Sequence, residues 1–300
     1  MSPSQPPESV FISTSRSEAR ERALVLKSVG ISHVVRHVGG ESYLLVEAGD
    51  AALARAELDA YEKENAHPAP PIEDFPPVEH ANGWVGVLGY AAVLIAVSLA
   101  DRADLFNMDW FTAGQTRAGW IREGQWWRTV TALTLHAGLP HLVGNIVIGG
   151  LFGLFVGKAL GPGIAWTGIL FAGAMGNLVN AYLEDPRHTS VGASTAVFAA
   201  LGMFTGSMWH RRRHAAPTSL ARWTPLVGGA VLLGYLGTAG VRTDVSAHVA
   251  GFVSGLILGV VFARFGGTSV STRGTQLLLG VMSIAVVAFA WAVALNYANR

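Results

Sequence analysis

The 300-residue chain contains no cysteine. That excludes a disulfide framework, a thiolate nucleophile and any thiolate metal site. Charge is scarce too: Asp, Glu, Lys and Arg together make up 14% of the residues, well below the roughly 25% of an ordinary soluble domain. A net charge of +1 favours no nucleic-acid partner. His33, His37, His67 and His80 match no metal-ligand spacing, so no metal is expected. The polar start, Met1 to Ser9, lacks the apolar core of a cleavable signal peptide, and none is expected.

What is abundant is apolar. Hydrophobic residues account for 51% of the chain, and glycine for 36 of its 300 positions. Glycine at that level suits helices packed closely in lipid. The composition reads as a polytopic membrane protein with a soluble piece attached.

The soluble piece spans residues 1–66. Val10-Phe11-Ile12 reads as a short strand. Ser15-Arg16-Ser17-Glu18 opens a helix with a capping-box pattern that Gly30 ends. Ser32 to Arg36 and Tyr43 to Val46 read as strands around a His37–Gly40 turn, and Ala51 to Glu64 as a second amphipathic helix. The order β-α-β-β-α suggests a small cytosolic α+β domain, similar by pattern to ferredoxin-like signalling domains, with an unknown partner. Residues 67–83, rich in proline up to Pro77, read as a linker.

From residue 84 to 300 the chain is mostly apolar. Seven stretches approach the roughly 20 residues that cross a bilayer: Trp84–Leu99, Leu133–Val156, Ile164–Leu183, Val191–Trp209, Pro225–Ala239, Val245–Phe262 and Gln276–Leu295. Lys158, Arg211-Arg212-Arg213, Arg222, Arg264 and Arg273 all fall in loops on one side, which the positive-inside rule makes cytoplasmic, together with the N-terminus. The loop Ala100 to Val130 then lies outside. Its Trp110, Trp120, Trp126 and Trp127 suit a water–lipid interface.

This topology puts four polar residues at similar shallow depth on three helices: His141 and Asn145 on the second span, Ser194 opening the fourth, and His248 about one turn into the sixth. Ionisable groups inside a membrane are functional candidates. His248, Gly251, Gly255 and Gly259 share one helix face, and the glycines let a neighbour approach that face. His141 and Asn145 also share a face. A serine hydroxyl needs a base, and histidine suits that task. Acyl transfer also needs oxyanion donors, which Asn145, His141 and the Ser194 backbone N–H could supply. The bland alternatives are Ser194 as a helix cap, and His248, His141 and Asn145 as interhelical hydrogen-bonding groups. Asp244, four residues before His248, reads as a helix N-cap ahead of an orienting partner. His188, His210 and His214 read as loop residues with no role.

Gly192-Ala193-Ser194, Ala247-His248-x-x-Gly251-x-x-x-Gly255, His141-x-x-x-Asn145 and Trp127-Arg128 together resemble the motif set of the rhomboid intramembrane serine proteases, over about Trp84 to Phe265. The resemblance implies an all-α polytopic membrane bundle of six core spans plus one C-terminal span. It implies a Ser194–His248 dyad, with His141 and Asn145 at the oxyanion and Phe198, where the family often has Tyr, stacking on His248. It implies cleavage of single-pass transmembrane substrates near the outer face of a lipid bilayer, without cofactor, and a multi-pass protein of a bacterial inner membrane. Trp127 and Arg128 would anchor the outer loop in the interface, and His136 would be structural. The family usually has Gly after the nucleophile where this chain has Thr195, a bulkier residue beside the oxyanion site. The alternative expectation is therefore a rhomboid-like protein, catalytically weak or inactive, that binds transmembrane segments.

Overall fold

The computed structural model describes residues 6–65, 82–215, 218–238, 243–265 and 272–299. His67, His80, Ala239, Arg300 and nearly all of the linker expected at 67–83 lie outside the described residues. The chain divides into two compact units, Met1–Ile72 and Glu73–Arg300.

The first unit runs β1 (Glu8–Ser13), α1 (Arg16–Ser28), β2 (His33–Val38), β3 (Glu41–Val46) and α2 (Ala51–Asn65). The strands form an antiparallel sheet in the order β1-β3-β2. Ser15 caps α1 by accepting the Glu18 N–H. Glu18 does not complete the box on the Ser15 N–H: Ser13 Oγ takes that bond at 2.9 Å and itself donates to the Glu18 carboxylate at 2.6 Å. Leu26, Leu44, Val46, Ala54 and Leu58 close the core between sheet and helices.

The second unit is helical. It comprises α3 (Gly83–Arg102), α4 (Trp110–Gly114), β4 (Thr116–Arg117), α5 (Ala118–Arg122), α6 (Arg128–Thr131), α7 (Leu139–Leu160), α8 (Pro162–Leu183), β5 (Thr189–Ser190), α9 (Ser194–Ala215), α10 (Ser219–Gly237), α11 (Val245–Phe265) and α12 (Arg273–Ala298). Seven of these helices are long. Among the described residues five helices, α3, α7, α8, α11 and α12, are long and apolar enough to cross a membrane. The other two carry more polar residues: α9 holds Ser194, Thr195 and His210 to Arg213, and α10 holds Arg222 and Pro225. The second long helix begins at Leu139, not at Leu133: Ala132–Thr134 is a single 3-10 turn, and Gly138 and Pro140 set the later start.

Helix α9 is the centre of the bundle, with Ala196, Ala199, Ala200, Leu201 and Met203 buried. Helices α3 and α12 instead expose Leu88, Leu99, Leu277, Val281, Ile284 and Phe289, faces that suit lipid. The packing of α11 on α9 is backbone against backbone. Gly251, Gly255 and Gly259 lie against the carbonyls of Thr195, Ala199 and Met203, while Gly202 and Gly206 lie against those of Phe252 and Leu256. A β-carbon at any of these five positions would collide with main chain. Without a hydrophobic driving force in lipid, such close van der Waals contact is what holds helices together.

Helix α12 ties the bundle at both ends. At one end Gln276 accepts the Gly163 and Ile164 N–H groups at 2.7 and 3.1 Å and donates to the Leu160 carbonyl at 3.0 Å. One side chain thus satisfies orphan groups at the end of α7 and the start of α8. At the other end Trp291, buried, donates to Thr134 Oγ1 at 3.0 Å and packs on Trp110.

Candidate active site

The site is built where α7, α9 and α11 begin. Gly192 turns the chain into α9 with φ +135°, a backbone state favourable to glycine. Its N–H is held by the Ala132 carbonyl at 3.0 Å. Space as well as φ demands glycine. A methyl group there would lie 2.7 and 2.9 Å from Cε1 and Nε2 of His141, and 3.5 Å from Ser194 Oγ. The His141 ring and the Ser194 hydroxyl thus converge on one cleft over Gly192. His136 accepts the Ala193 N–H at 3.4 Å, and its ring packs edge-on against His141 with centroids 5.1 Å apart.

Asn145, one turn beyond His141 on α7, is buried. Tyr90 of α3 fixes its backbone by donating to its carbonyl at 2.9 Å. Its side-chain N–H group has no partner among the described residues. A buried donor of this kind is costly unless something accepts from it.

His248 is buried, three residues after Val245, where α11 begins. Its ring packs on Phe198, the residue one turn after Ser194 on α9, with centroids 4.4 Å apart and an interplanar angle of 35°. Its Nδ1 lies 2.9 Å from the Gly237 carbonyl at the end of α10. A carbonyl only accepts, so Nδ1 carries the proton. In the neutral ring, Nε2 is then left with a free lone pair, the form a general base requires.

Thr195, expected beside the oxyanion site, faces elsewhere. Its Cγ2 packs toward Gly176 of α8 and Gly251 of α11.

Trp127 and Arg128 are not at an interface but buried. Arg128 donates to Gln125 at 2.7 Å and to the Thr112 and Gln115 carbonyls at 3.0 and 2.8 Å, with its guanidinium 4.5 Å from the Trp120 ring centroid. Burial pushes its pKa down to about 10. Trp127 packs on Tyr297 of α12. The tryptophan cluster is thus largely a core of its own, with Trp110, Trp127 and Trp291 all buried and Trp126 exposed.

The family model described as Rhomboid domain matches residues 123–265, the stretch that carries this cleft. The chain carries a rhomboid domain. Among curated proteins, it is 32% identical over 148 residues to Rhomboid-like protease 1 of Toxoplasma gondii, covering 48% of this chain and 50% of that protein. It is 29% identical over 166 residues to Rhomboid protease GluP of Bacillus subtilis (55% and 31%) and 30% identical over 156 residues to Rhomboid-related protein 1 of Caenorhabditis elegans (46% and 40%). The chain thus spans half or less of the length of these three relatives. The rhomboid domain sits in a multi-pass integral membrane protein by the apolarity of its long helices.

Two contacts at this site had no sequence signal. The Gly237 carbonyl acts through main chain, which no residue letter marks. Tyr90 reaches Asn145 from a helix that holds none of the quoted motifs.

Proposed function

We propose that this protein is an intramembrane serine endopeptidase. Ser194 is its nucleophile and His248 its general base; the substrates are single-pass transmembrane proteins. The observation that carries the reading is the Nδ1–Gly237 hydrogen bond, which presents Nε2 of His248 as the basic nitrogen on the helix packed against that of Ser194.

In the proposed reaction Nε2 takes the Ser194 proton as Oγ attacks the scissile carbonyl. The imidazolium is held by the Gly237 carbonyl on its other side. The oxyanion is received by the unpartnered Asn145 amide, a ring N–H of His141 and the Ser194 backbone N–H at the free start of α9. Nε2–H then protonates the leaving amine, and water, activated by the same nitrogen, releases the acyl group. A substrate helix must unwind locally, because a helix hides its peptide groups.

The arginines of the 211–213 and 222 region support a cytoplasmic position for that end of the bundle, and with it a cleft toward the outer face of a bacterial inner membrane. Residues 1–66 form a cytoplasmic domain whose partner is a separate question. The position of Thr195, whose methyl turns toward α8 and α11, supports this reading over that of a binding-only relative.

The test is cleavage of a single-pass transmembrane reporter in lipid vesicles by the parent, Ser194→Ala and His248→Ala. The parent should cut, and neither variant should, although both fold. Cleavage by a folded Ser194→Ala protein would sink the assignment.

A further inference from the structure

The residues between α8 and α9 lead directly into Ser194, and the start of α11 carries His248. A polar network joins these two segments away from the reacting groups. Asp244, just before α11, spends one carboxylate oxygen locally: Oδ1 accepts the Ala247 N–H at 3.1 Å and the Ser246 hydroxyl at 2.9 Å. That is an ordinary helix cap. Its second oxygen does what a cap does not require. Oδ2 lies 2.8 Å from Nε2 of His188, in the loop before β5, and accepts from Asn180 Nδ2 of α8 at 2.9 Å. Glu184 completes the network, 2.5 Å from Ser246 Oγ and 3.9 Å from Nδ1 of His188. His188 is pinned from its backbone too, because its carbonyl accepts the Ala118 N–H at 3.0 Å.

We infer that Asp244 and His188 are positioning residues: together they clamp the Ser194 loop to the first turn of the His248 helix. The inference rests on the dyad reading above. Neither side chain touches the reacting atoms. Their effect is on the separation of nucleophile and base, where an error of about 1 Å can cost a hundredfold in rate. The glycine seam below holds α9 to α11 but ends at Thr195 and Gly251. Above it, the cross-connection from the Ser194 loop to α11 is the clamp. Charge makes it strong: the hydrogen bonds of this half-buried carboxylate are roughly twice as strong as neutral ones.

The experiment uses the full chain in lipid, with His188→Ala, His188→Gln, Asp244→Ala and Asp244→Asn. Three quantities are read: the rate at which a fluorophosphonate phosphonylates Ser194 with loss of fluoride, kcat and KM on the reporter, and amide exchange in residues 186–193 and 245–250. Both alanine variants should lower kcat and phosphonylation by ~tenfold or more, a fraction of the misplacement penalty, with KM nearly unchanged. Exchange should rise in both segments in each variant, including the segment that was not altered. His188→Gln, whose amide can still donate to Asp244, should recover most of the rate. Asp244→Asn keeps a cap acceptor and should fold, yet fall between parent and Asp244→Ala. Folded alanine variants with parental kcat, or with exchange raised only where the substitution lies, overturn the clamp. A parent that is never phosphonylated overturns the dyad and the positioning role with it. The exchange pattern then separates that failure from absence of the clamp itself.

Discussion

Nδ1 of His248 donates to the carbonyl of Gly237 across 2.9 Å, so the end of α10 determines which nitrogen of the neutral ring is left unprotonated. In the proposed dyad this main-chain oxygen does the orienting that a carboxylate does in a Ser-His-Asp triad. It stabilises the imidazolium less than a full negative charge would. It also avoids placing a carboxylate among buried apolar side chains, a costly arrangement unless well paired.

The first prediction concerns this contact. A methyl group on Gly237 would lie 3.3 Å from Cδ1 of Leu233, a side-chain end that can give way, 3.4 Å from Phe198 and 3.6 Å from Nδ1 of His248. Gly237→Ala should therefore be tolerated, with cleavage within a few-fold of parent. Gly237→Leu should push the Phe198 and His248 rings apart and abolish cleavage in a folded protein. Reporter cleavage and thermal midpoint, measured side by side, check both.

The Phe198 ring should matter as a surface rather than through hydrogen bonding. Aromatic pairs contribute ~0.5–1.5 kcal/mol beyond burial, so Phe198→Ala should lower kcat by about tenfold if the ring loses that support. Phe198→Tyr should stay near parent. Loss of activity in Phe198→Leu equal to that in Phe198→Ala would point to ring geometry, whereas full activity in both would refute the packing role.

The α9–α11 seam should be intolerant. Gly255→Ala drives a methyl group into the Ala199 carbonyl. Overpacking costs ~1–3 kcal/mol, and backbone cannot rotate aside as a side chain does, so the upper end is expected. Gly280→Ala, where a β-carbon meets nothing within 4 Å, should be nearly neutral. Denaturation in mixed micelles compares them directly.

Thr195→Gly should not raise cleavage, because the side chain points toward α8 and α11 rather than into the cleft. It should lower stability by about 1 kcal/mol through lost packing on Gly176 and Gly251. A large gain in kcat would place Thr195 at the oxyanion after all.

Acid should loosen the start of α11. Burial by itself would raise the Asp244 pKa, but hydrogen bonds from His188, the Ala247 N–H and Ser246 outweigh it and hold the carboxyl below its usual range. A depressed folded pKa gives stability that is complete above the unfolded value of about 3.9 and lost as pH falls through the folded one. Parent and Asp244→Asn should therefore converge in thermal midpoint between about pH 5 and pH 2. Parallel curves would show that Asp244 has no such linkage.

Family and bundle were legible because both leave dense marks. Long apolar runs announce helices in lipid, and the small-residue spacing Gly251, Gly255, Gly259 announces a close neighbour. The second long helix starts six residues later than the hydropathy suggests because Leu133 and Leu135 are apolar whether or not they are helical. Hydropathy cannot separate a 3-10 turn buried in protein from the first turn of a span. The tryptophans of the first loop misled for a related reason. A cluster of Trp suits an interface, but it equally suits a core when Trp291 and Tyr297, more than 150 residues away, come to meet it. His188 carried no pattern with Asp244, because a contact across 56 residues has no period. The direction of Thr195 followed from the rotation of α9, which glycine contacts set and spacing alone leaves open.

The bond from Trp291 to Thr134 spans 157 residues, and it has a kinetic meaning. Contacts this distant in the chain slow folding, because loop closure must be met before they contribute. Thr134 belongs to the turn Ala132–Thr134, and the Ala132 carbonyl holds Gly192 in place. The support under Gly192, and so under the proposed nucleophile Ser194, therefore matures only after α12, synthesised later than every candidate site residue, has docked. Through most of its own assembly the chain passes as a bundle whose cleft is not yet formed.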